Sequence, residues 1–466
     1  MPLPRKLDPA SLTLQLQAQG PMTAQTLAAA TGVDRSRVSR ALTGLGAPIV
    51  RLGVTRGARY ALRRRVRSLN DTFPIRRIDA QGRAHDWAEL TALHGGWQVT
   101  WASATNPPTW SDRMLGLGGW SEGFPFFLGD VRPQGYLGRA VARRLPVALG
   151  LGTDPRDWGD DATLVFLASE GDDLPGDLIV GDVPLTRYQT QRLAPSVGLA
   201  EDARAEHYPA LIRETQAEGP VGSSVEGEQP KFLVRLNRSA GDAQPIIVKF
   251  TDTLASPTGR RWADLLVAEA LALTILHAAG EAHATPRIYD AADRRFLEME
   301  RFDRVGEQGR RGVVSLRALH ETFGAGDTND WSVAADELRR QELISPETHR
   351  SIRLRQAFGD LIGNTDMHFG NLAFWLDDTL PFRLAPAYDV LPMLWAPAAG
   401  GELVPRTLNV RPPLPAHEAD WLIAAGWAEE FWARVAADVR VSPEFAERAR
   451  AAGALVVRMR AQFGAS

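Results

Sequence analysis

The chain has 466 residues, 44% apolar and 23% charged, the balance of a globular protein rather than a disordered or fibrous one, and too long for a single core. It has no cysteine, which excludes disulfides, thiolate metal sites and thiol catalysis, and no run near the roughly 20 apolar residues that span a bilayer, so a cytoplasmic chain without a membrane partner is expected. A net charge of -3 hides an asymmetry: residues 1–65 carry 11 Lys and Arg against 2 Asp and Glu, so a basic head suited to polyanion precedes an acidic body.

In the head, Ser11 suits the cap of a first helix stopped by Gly20-Pro21, and Thr23 caps a second that ends at Gly32. Asp34 caps a third, DRSRVSRALTGL, with Val38, Ala41, Leu42 and Leu45 on one face. Two short helices about a tight turn form the helix-turn-helix pattern, in which Arg35, Ser36, Arg37, Ser39 and Arg40 would meet DNA. PIVRLGV and ARYALRRR then read as the hairpin of a winged helix, with Arg51, Arg56 and Arg59 placed for phosphates. The competing reading is a helical docking domain whose arginines are a solvated face.

Residues 66–215 turn to Gly, Pro and Trp around short apolar runs, GWQVTWAS and ATLVFLAS, both of which read as strands of a β-rich subdomain. Trp97, Trp101, Trp110, Trp120 and Trp158 read as core or interface aromatics. EGDDLPGD at 170–177 reads as a surface turn or a weak cation site. No catalytic constellation stands out in this segment.

From residue 216 the pattern changes again. A Gly-rich stretch, QAEGPVGSSVEGEQPK, leads into a strand, and its spacing is not that of a Walker loop. The next strand, PIIVKF, carries Lys249 among apolar neighbours, either seeking an anion such as nucleotide phosphate or reaching water from an edge. In the long helix GRRWADLLVAEALALTILHAAG, Glu269 either pairs with Lys249 or lies on a solvated stripe. RRFLEMERFDR supplies a strand and then Glu300 to Phe302, a hinge suited to adenine by its position.

A further helix delivers the chain into GNTDMHFGNLAFWLDDTLPFRLAPAYD. Asp366 and Asn371 stand as D-x-x-x-x-N, the spacing of a kinase base and metal ligand, and a hairpin returns Asp389, whose hard oxygens suit magnesium. His368, between them, either hydrogen-bonds phosphate or buttresses the loop. Residues 402–466 read as helices that scaffold this half.

S-V-E-G-E-Q-P-K at 224–231, IVKF at 247–250, MERFDR at 299–304, NTDMHFGN at 364–371 and PAYD at 386–389 occur in order. With them, residues 216 to about 460 resemble the HipA family of serine/threonine kinases, toxins of bacterial type II toxin-antitoxin modules. With the basic head in front, the whole chain looks most like the YjjJ branch of that family.

The resemblance implies an α+β multidomain fold: a winged helix-turn-helix at 1–65, a β-rich subdomain at 66–215, and a two-lobed kinase-like body at 216–466, its ATP-binding lobe ending near residue 304. It implies ATP and Mg2+ as cofactors and a protein Ser/Thr hydroxyl as acceptor. Ser224 would be the autophosphorylated loop serine, with Gly227 and Gln229 in the same loop. Lys249, paired with Glu269, would contact the phosphates, and Glu300 and Phe302 the adenine. Asp366 would be the base, with His368 beside it, and Asn371 and Asp389 would hold magnesium. In the ordinary arrangement DNA binding belongs to a separate antitoxin; here a fused head would bind DNA, as a homodimer if it reads a palindrome. Three alternatives stay open: a transcriptional regulator with an inactive kinase-like module, a metal-dependent nuclease using Asp366, His368 and Asp389, and a small-molecule phosphotransferase.

Overall fold

Side-chain caps set many of the helix starts. Asp8, Thr23 and Asp34 each accept a backbone N–H at the head of α1 (Pro9–Gln19), α2 (Ala24–Thr31) and α3 (Arg35–Leu45). Asp8, and not Ser11, begins α1, because Pro9 is preorganised for the first helical position. The computed structural model describes residues 8–54, 57–103, 106–133, 135–145, 147–194, 198–216, 229–237, 243–323 and 328–464. The chain divides into two compact units: Met1–Arg132, Leu145–Ala194 and Asp377–Leu380 form the first, and Pro133–Arg144, Pro195–Leu376 and Pro381–Ser466 the second.

In the first unit, α1 to α3 close over Leu12, Leu16, Leu27, Val38 and Leu42. Strands β1 (Met22–Thr23), β2 (Ile49–Leu52) and β3 (Arg59–Leu62) form an antiparallel sheet in the order β1-β3-β2. A second antiparallel sheet contains β4 (Thr72–Ile78), β5 (Ala84–Leu93), β6 (Gly96–Trp101), β7 (Trp120–Ser121) and β8 (Leu178–Val180), ordered β7-β6-β5-β4-β8.

The basic head is not tethered to this second sheet by a loose linker. The Arg64 N–H reaches the Ala92 carbonyl at 3.0 Å and the His94 N–H the Leu62 carbonyl at 2.9 Å, while the Arg64 guanidinium grips Asp161 at 2.7 and 2.8 Å. Gly20 and Gly95, both at positive φ, bring two backbones so close that a Cβ on Gly95 would lie 2.7 Å from the Gly20 Cα.

Between the strands lie the short helices α4 (Ser111–Met114) and α5 (Phe126–Gly129). Then come α6 (Gly135–Arg144), which belongs to the second unit, and α7 (Asp160–Glu170) and α8 (Asp182–Leu193). ATLVFLAS is therefore not a strand: it is the buried body of α7, begun by Asp160 and Asp161 where acids suit the helix dipole. An unbroken apolar run buried all round has no period that separates helix from strand. Three acids of 170–177 are paired, Glu170 and Asp172 with Arg187 at 2.9 and 2.7 Å and Asp177 with Arg77 at 3.1 Å, which favours a structural turn over a cation site. Trp97 and Trp110 are fully buried, the latter packed edge-on against Trp101 and Phe126.

The turn Asp377–Leu380 completes the first unit although the chain on both sides of it belongs to the second. Asp378 Oδ1 accepts from Arg77 at 2.6 Å and from Trp87 Nε1 at 3.2 Å, the Asp377 carbonyl accepts from Trp110 Nε1 at 2.9 Å, and the Thr109 N–H donates to the Asp378 carbonyl at 2.8 Å.

After α6 the second unit continues with β9 (Leu199–Ala200), α9 (Arg204–Gln216), β10 (Lys231–Asn237), β11 (Ala243–Phe250), α10 (Pro257–Ala278), β12 (Arg287–Ala291) and β13 (Arg294–Glu300). Its five-stranded sheet runs β12-β13-β11-β10-β9, and Leu266 and Ala270 of α10 pack on Leu297 of β13. Short strands β14 (Arg304–Val305), β15 (Gly309–Arg310) and β16 (Val313–Ser315) lead to α11 (Leu316–Phe323), α12 (Trp331–Arg340) and α13 (Pro346–Ile362); β17 (Ala373–Trp375) then pairs with β16. Helices α14 (Glu418–Ala437) and α15 (Pro443–Phe463) enclose a large core with α10 and α13. Residues 402–414, expected to be helical, are not: Pro405, Pro412 and Pro413 remove the backbone donors that a helix needs. Among the described residues no helix is long and apolar enough to cross a membrane.

Candidate active site

The second unit places a buried cation between two carboxylates. Lys249, on β11, is 3% exposed and Glu269, on α10, is fully buried; Nζ lies 2.6 and 2.8 Å from the two Glu269 oxygens and also contacts Asp389 Oδ1. Glu269 thus lies on the sheet-facing side of α10, not on a solvated stripe, and Lys249 points into the interior rather than to water at an edge.

Burial works to discharge the Lys249 ammonium, but Asp389 and then Glu269 overcome it and hold the group above its usual range. Burial works to raise the Asp389 carboxyl, and Lys249 and then Lys231 hold it well below the ordinary range. Asp389 also sits at φ 54°, a left-handed conformation uncommon for a residue with a side chain, so the surrounding structure must fix it there.

Lys231 was not singled out by its residue type. It faces Lys249 directly in the β10–β11 register, and two cations opposed across a ladder disfavour one another unless anions lie between them. Gln229 next to it is buried; its Nε2 donates to the Phe250 carbonyl, and its Oε1 has no partner among the described residues.

At the end of β13, Glu300 stands opposite Ile246. Phe302 follows, its ring 5.8 Å from Trp375 and 5.7 Å from Tyr388. Between them Arg301 turns inward to pair with Asp303 at 2.9 Å, and Arg304 joins the same carboxylate at 2.7 Å. Half of the MERFDR signature is therefore a buried ion cluster that holds the strand end, a role that charged residues next to a hinge did not announce.

Helix α13 ends at Gly363, in a left-handed C-cap, and releases the loop that carries Asp366. Asp366 is exposed, and Asn364 and Asn371 are buried. The Asn364 Oδ1 accepts the Asp366 N–H at 3.2 Å, and Asn371 Nδ2 donates to the Asp366 carbonyl at 2.8 Å, so two amides shape the turn beneath the carboxylate. His368 Nδ1 accepts the Gly370 N–H at 3.0 Å, which places its proton on Nε2, and Arg317 Nη2 lies 3.3 Å from the same nitrogen. Tyr388 ties the loop to the Asp389 segment through a 2.6 Å hydrogen bond to the Gly370 carbonyl.

Lys249, Glu269 and Asp389 are thus in direct contact, and Asp366, His368 and Asn371 share one loop tied to Tyr388, the neighbour of Asp389. Ser224, Gly227 and Arg56 lie outside the described residues. Asp389 and Asn371 together offer hard oxygen donors, which fits magnesium, an ion that keeps waters and shares phosphate oxygens. Among the described residues no group of three His or acidic side chains would cage a metal by itself.

Residues 69–189 match the YjjJ-like toxin middle domain, and residues 223–461 match the HipA-like C-terminal domain. Toxin YjjJ of Escherichia coli (strain K12) is 35% identical over 431 residues, 92% of this chain and 94% of that protein. HipA of Shewanella oneidensis MR-1, solved with HipB and its operator DNA, superposes with a TM-score of 0.53 at 16% identity, covering 84% of this chain and 97% of its own, which shows a shared mixed α and β fold. On the strength of the two domain matches and the near full-length relative, the chain belongs to the HipA family of toxins, in its YjjJ-like branch.

Proposed function

We propose that this chain is an ATP- and magnesium-dependent serine/threonine protein kinase fused to a DNA-binding head. The observation that carries the reading is Lys249 bridging Glu269 and Asp389: three ionisable groups meet beside the central strand of the sheet, where the lysine can turn to phosphate. ATP supplies the phosphoryl group, and magnesium would offset its charge from Asn371 and Asp389. Lys249 and Lys231 stand where the phosphates would need cations. Asp366 takes the proton from the acceptor hydroxyl as its oxygen bonds to the γ-phosphorus and the bond to the ADP oxygen breaks. Glu300 and Phe302 would border the adenine.

A buried lysine held charged by two acids is costly to keep in a module that binds no nucleotide, which counts against the inactive regulator. The nuclease alternative asks His368 to bind metal, yet its Nδ1 is engaged by its own loop.

In the head, α1 to α3 and the three-stranded sheet suit a winged helix-turn-helix. Arg35, Ser36 and Arg40 are exposed on α3, Arg37 and Ser39 are partly so, and the Arg59 guanidinium lies 5.8 Å from the Trp120 ring. DNA binding that weakens steeply with salt, and less steeply in Arg40→Ala, supports this head; binding indifferent to salt counts against it.

The deciding experiment is intact-mass measurement after incubation with magnesium-ATP, with transfer of labelled phosphate beside it. One added phosphate mapped to Ser224, and a loss of about a thousandfold in Asp366→Ala with folding intact, are expected. Failure of the wild type to bind nucleotide would remove the kinase.

A further inference from the structure

The helix that supplies Glu269 is clamped at both ends, and one clamp reaches it from the far end of the sequence. Asp264 of α10, 3% exposed, accepts both the backbone N–H and the hydroxyl of Ser442 at 2.7 Å each. One turn earlier, Arg261 reaches Glu444 at 2.9 Å and the Trp395 carbonyl at 3.3 Å, so two side chains on one face of α10 hold the first turn of α15. Beyond the C-terminal end of α10, the Glu281 carboxylate takes the Arg355 guanidinium at 2.8 Å, and its carbonyl takes the Ala387 N–H at 2.8 Å, two residues before Asp389.

Asp264 lies five residues from Glu269, about 7.5 Å along the axis and on a different face, so it cannot act on Lys249 directly. It acts by fixing the rod. Leu265, Ala268, Ala272 and Leu276 of the same helix are buried in the core shared with α13, α14 and α15. Ser442 has two duties: its hydroxyl oxygen accepts the Phe445 N–H as the cap of α15 while its proton goes to Asp264.

We infer that Asp264 and Ser442 are positioning residues of the phosphate-binding site: by joining α10 to α15 they hold Glu269 where it aims Lys249. This rests on the phosphotransferase reading above. It places the fixation of the Lys249–Glu269 pair in the C-terminal helix, so that nucleotide meets a pair already assembled.

The test measures kcat and KM for magnesium-ATP in Ser442→Gly, Asp264→Asn, Ser442→Thr, Glu269→Gln and the double variant Glu269→Gln/Ser442→Gly, each below its own unfolding midpoint. Glycine is a good helix cap, so Ser442→Gly removes the hydroxyl's bond to Asp264 and leaves the backbone N–H bond and the α15 start in place. Ser442→Gly and Asp264→Asn are expected to lower kcat about tenfold, the scale of a slightly misaimed group, and Ser442→Thr to stay within about twofold of wild type. In the Glu269→Gln background the same Ser442→Gly change is expected to alter kcat less than about twofold, because its route to Lys249 is already cut. Equal losses in both backgrounds, or an unchanged kcat in both Ser442→Gly and Asp264→Asn, would overturn the inference while leaving the kinase in place. A wild-type chain that transfers no phosphate would overturn the kinase reading itself, and this inference with it.

Discussion

At the scale of single residues, Lys249 and Glu269 constrain one another more than either is constrained by solvent, since both are buried. Lys249→Met leaves two carboxylates facing an apolar side chain and is expected to cost about 3–5 kcal/mol in denaturant unfolding. Adding Glu269→Gln should recover part of that loss even though the second change removes another charge. A double variant less stable than Lys249→Met would contradict the pairing. Gly370 is a quieter position: a Cβ there would lie 2.9 Å from His368 Cε1 and 3.0 Å from Arg317 Nη2. Gly370→Ala should therefore turn the imidazole off its loop and lower phosphotransfer about tenfold, with the unfolding midpoint almost unmoved. The pairing of Lys249 with Glu269 is one of two readings that the residues leave open, since a lysine in an apolar strand and an acid in an apolar helix need a partner only if they are buried. Lys231 is not legible in the sequence, because its relation to Lys249 is one of register, and Asn364 is not, because its work is done by bonds to the backbone.

At the scale of elements, α10 and α13 are readable from their length, whereas α7 reads as a strand because nothing in a wholly buried run reports a period. The joints between helices are polar and were hidden in residues that look like surface. Asp420, at the start of α14 and 7% exposed, takes Arg350 at 2.7 Å and Arg353 at 2.6 Å from α13. Burial raises its carboxyl, but the two arginines prevail and hold it below its ordinary 3.8. A carboxyl lowered on folding contributes stability that is complete above the unfolded value and fades as pH falls through the folded one. Asp420→Asn should thus cost about 2 kcal/mol at pH 7, and the gap from wild type should shrink only below about pH 4 in urea unfolding. A gap constant from pH 7 to pH 3 would show that the pair is not linked to folding.

At the scale of the molecule, the sequence divides at its composition changes into head, middle and body, while the contacts gather the head and most of the middle into one unit, give residues 133–144 and 195–215 to the other, and lend the first unit four residues of the body. Chain order cannot reveal such a loan, because Asp377–Leu380 read only as the tip of a hairpin. The borrowed turn meets Arg77, Trp87, Thr109 and the fully buried Trp110. Trp110→Ala should cost about 3–5 kcal/mol in thermal or denaturant unfolding, a loss that a solvent-facing ring would not show. The turn also lies on the only stretch of backbone that links Asn371 to Asp389. A gene shortened to begin at residue 195 would consequently yield a product whose hairpin tip has lost every anchor that the first unit provides. Lowered solubility of such a fragment, restored by supplying residues 1–194 in trans, would show that these four residues keep their fold only with the partners they have in the first unit.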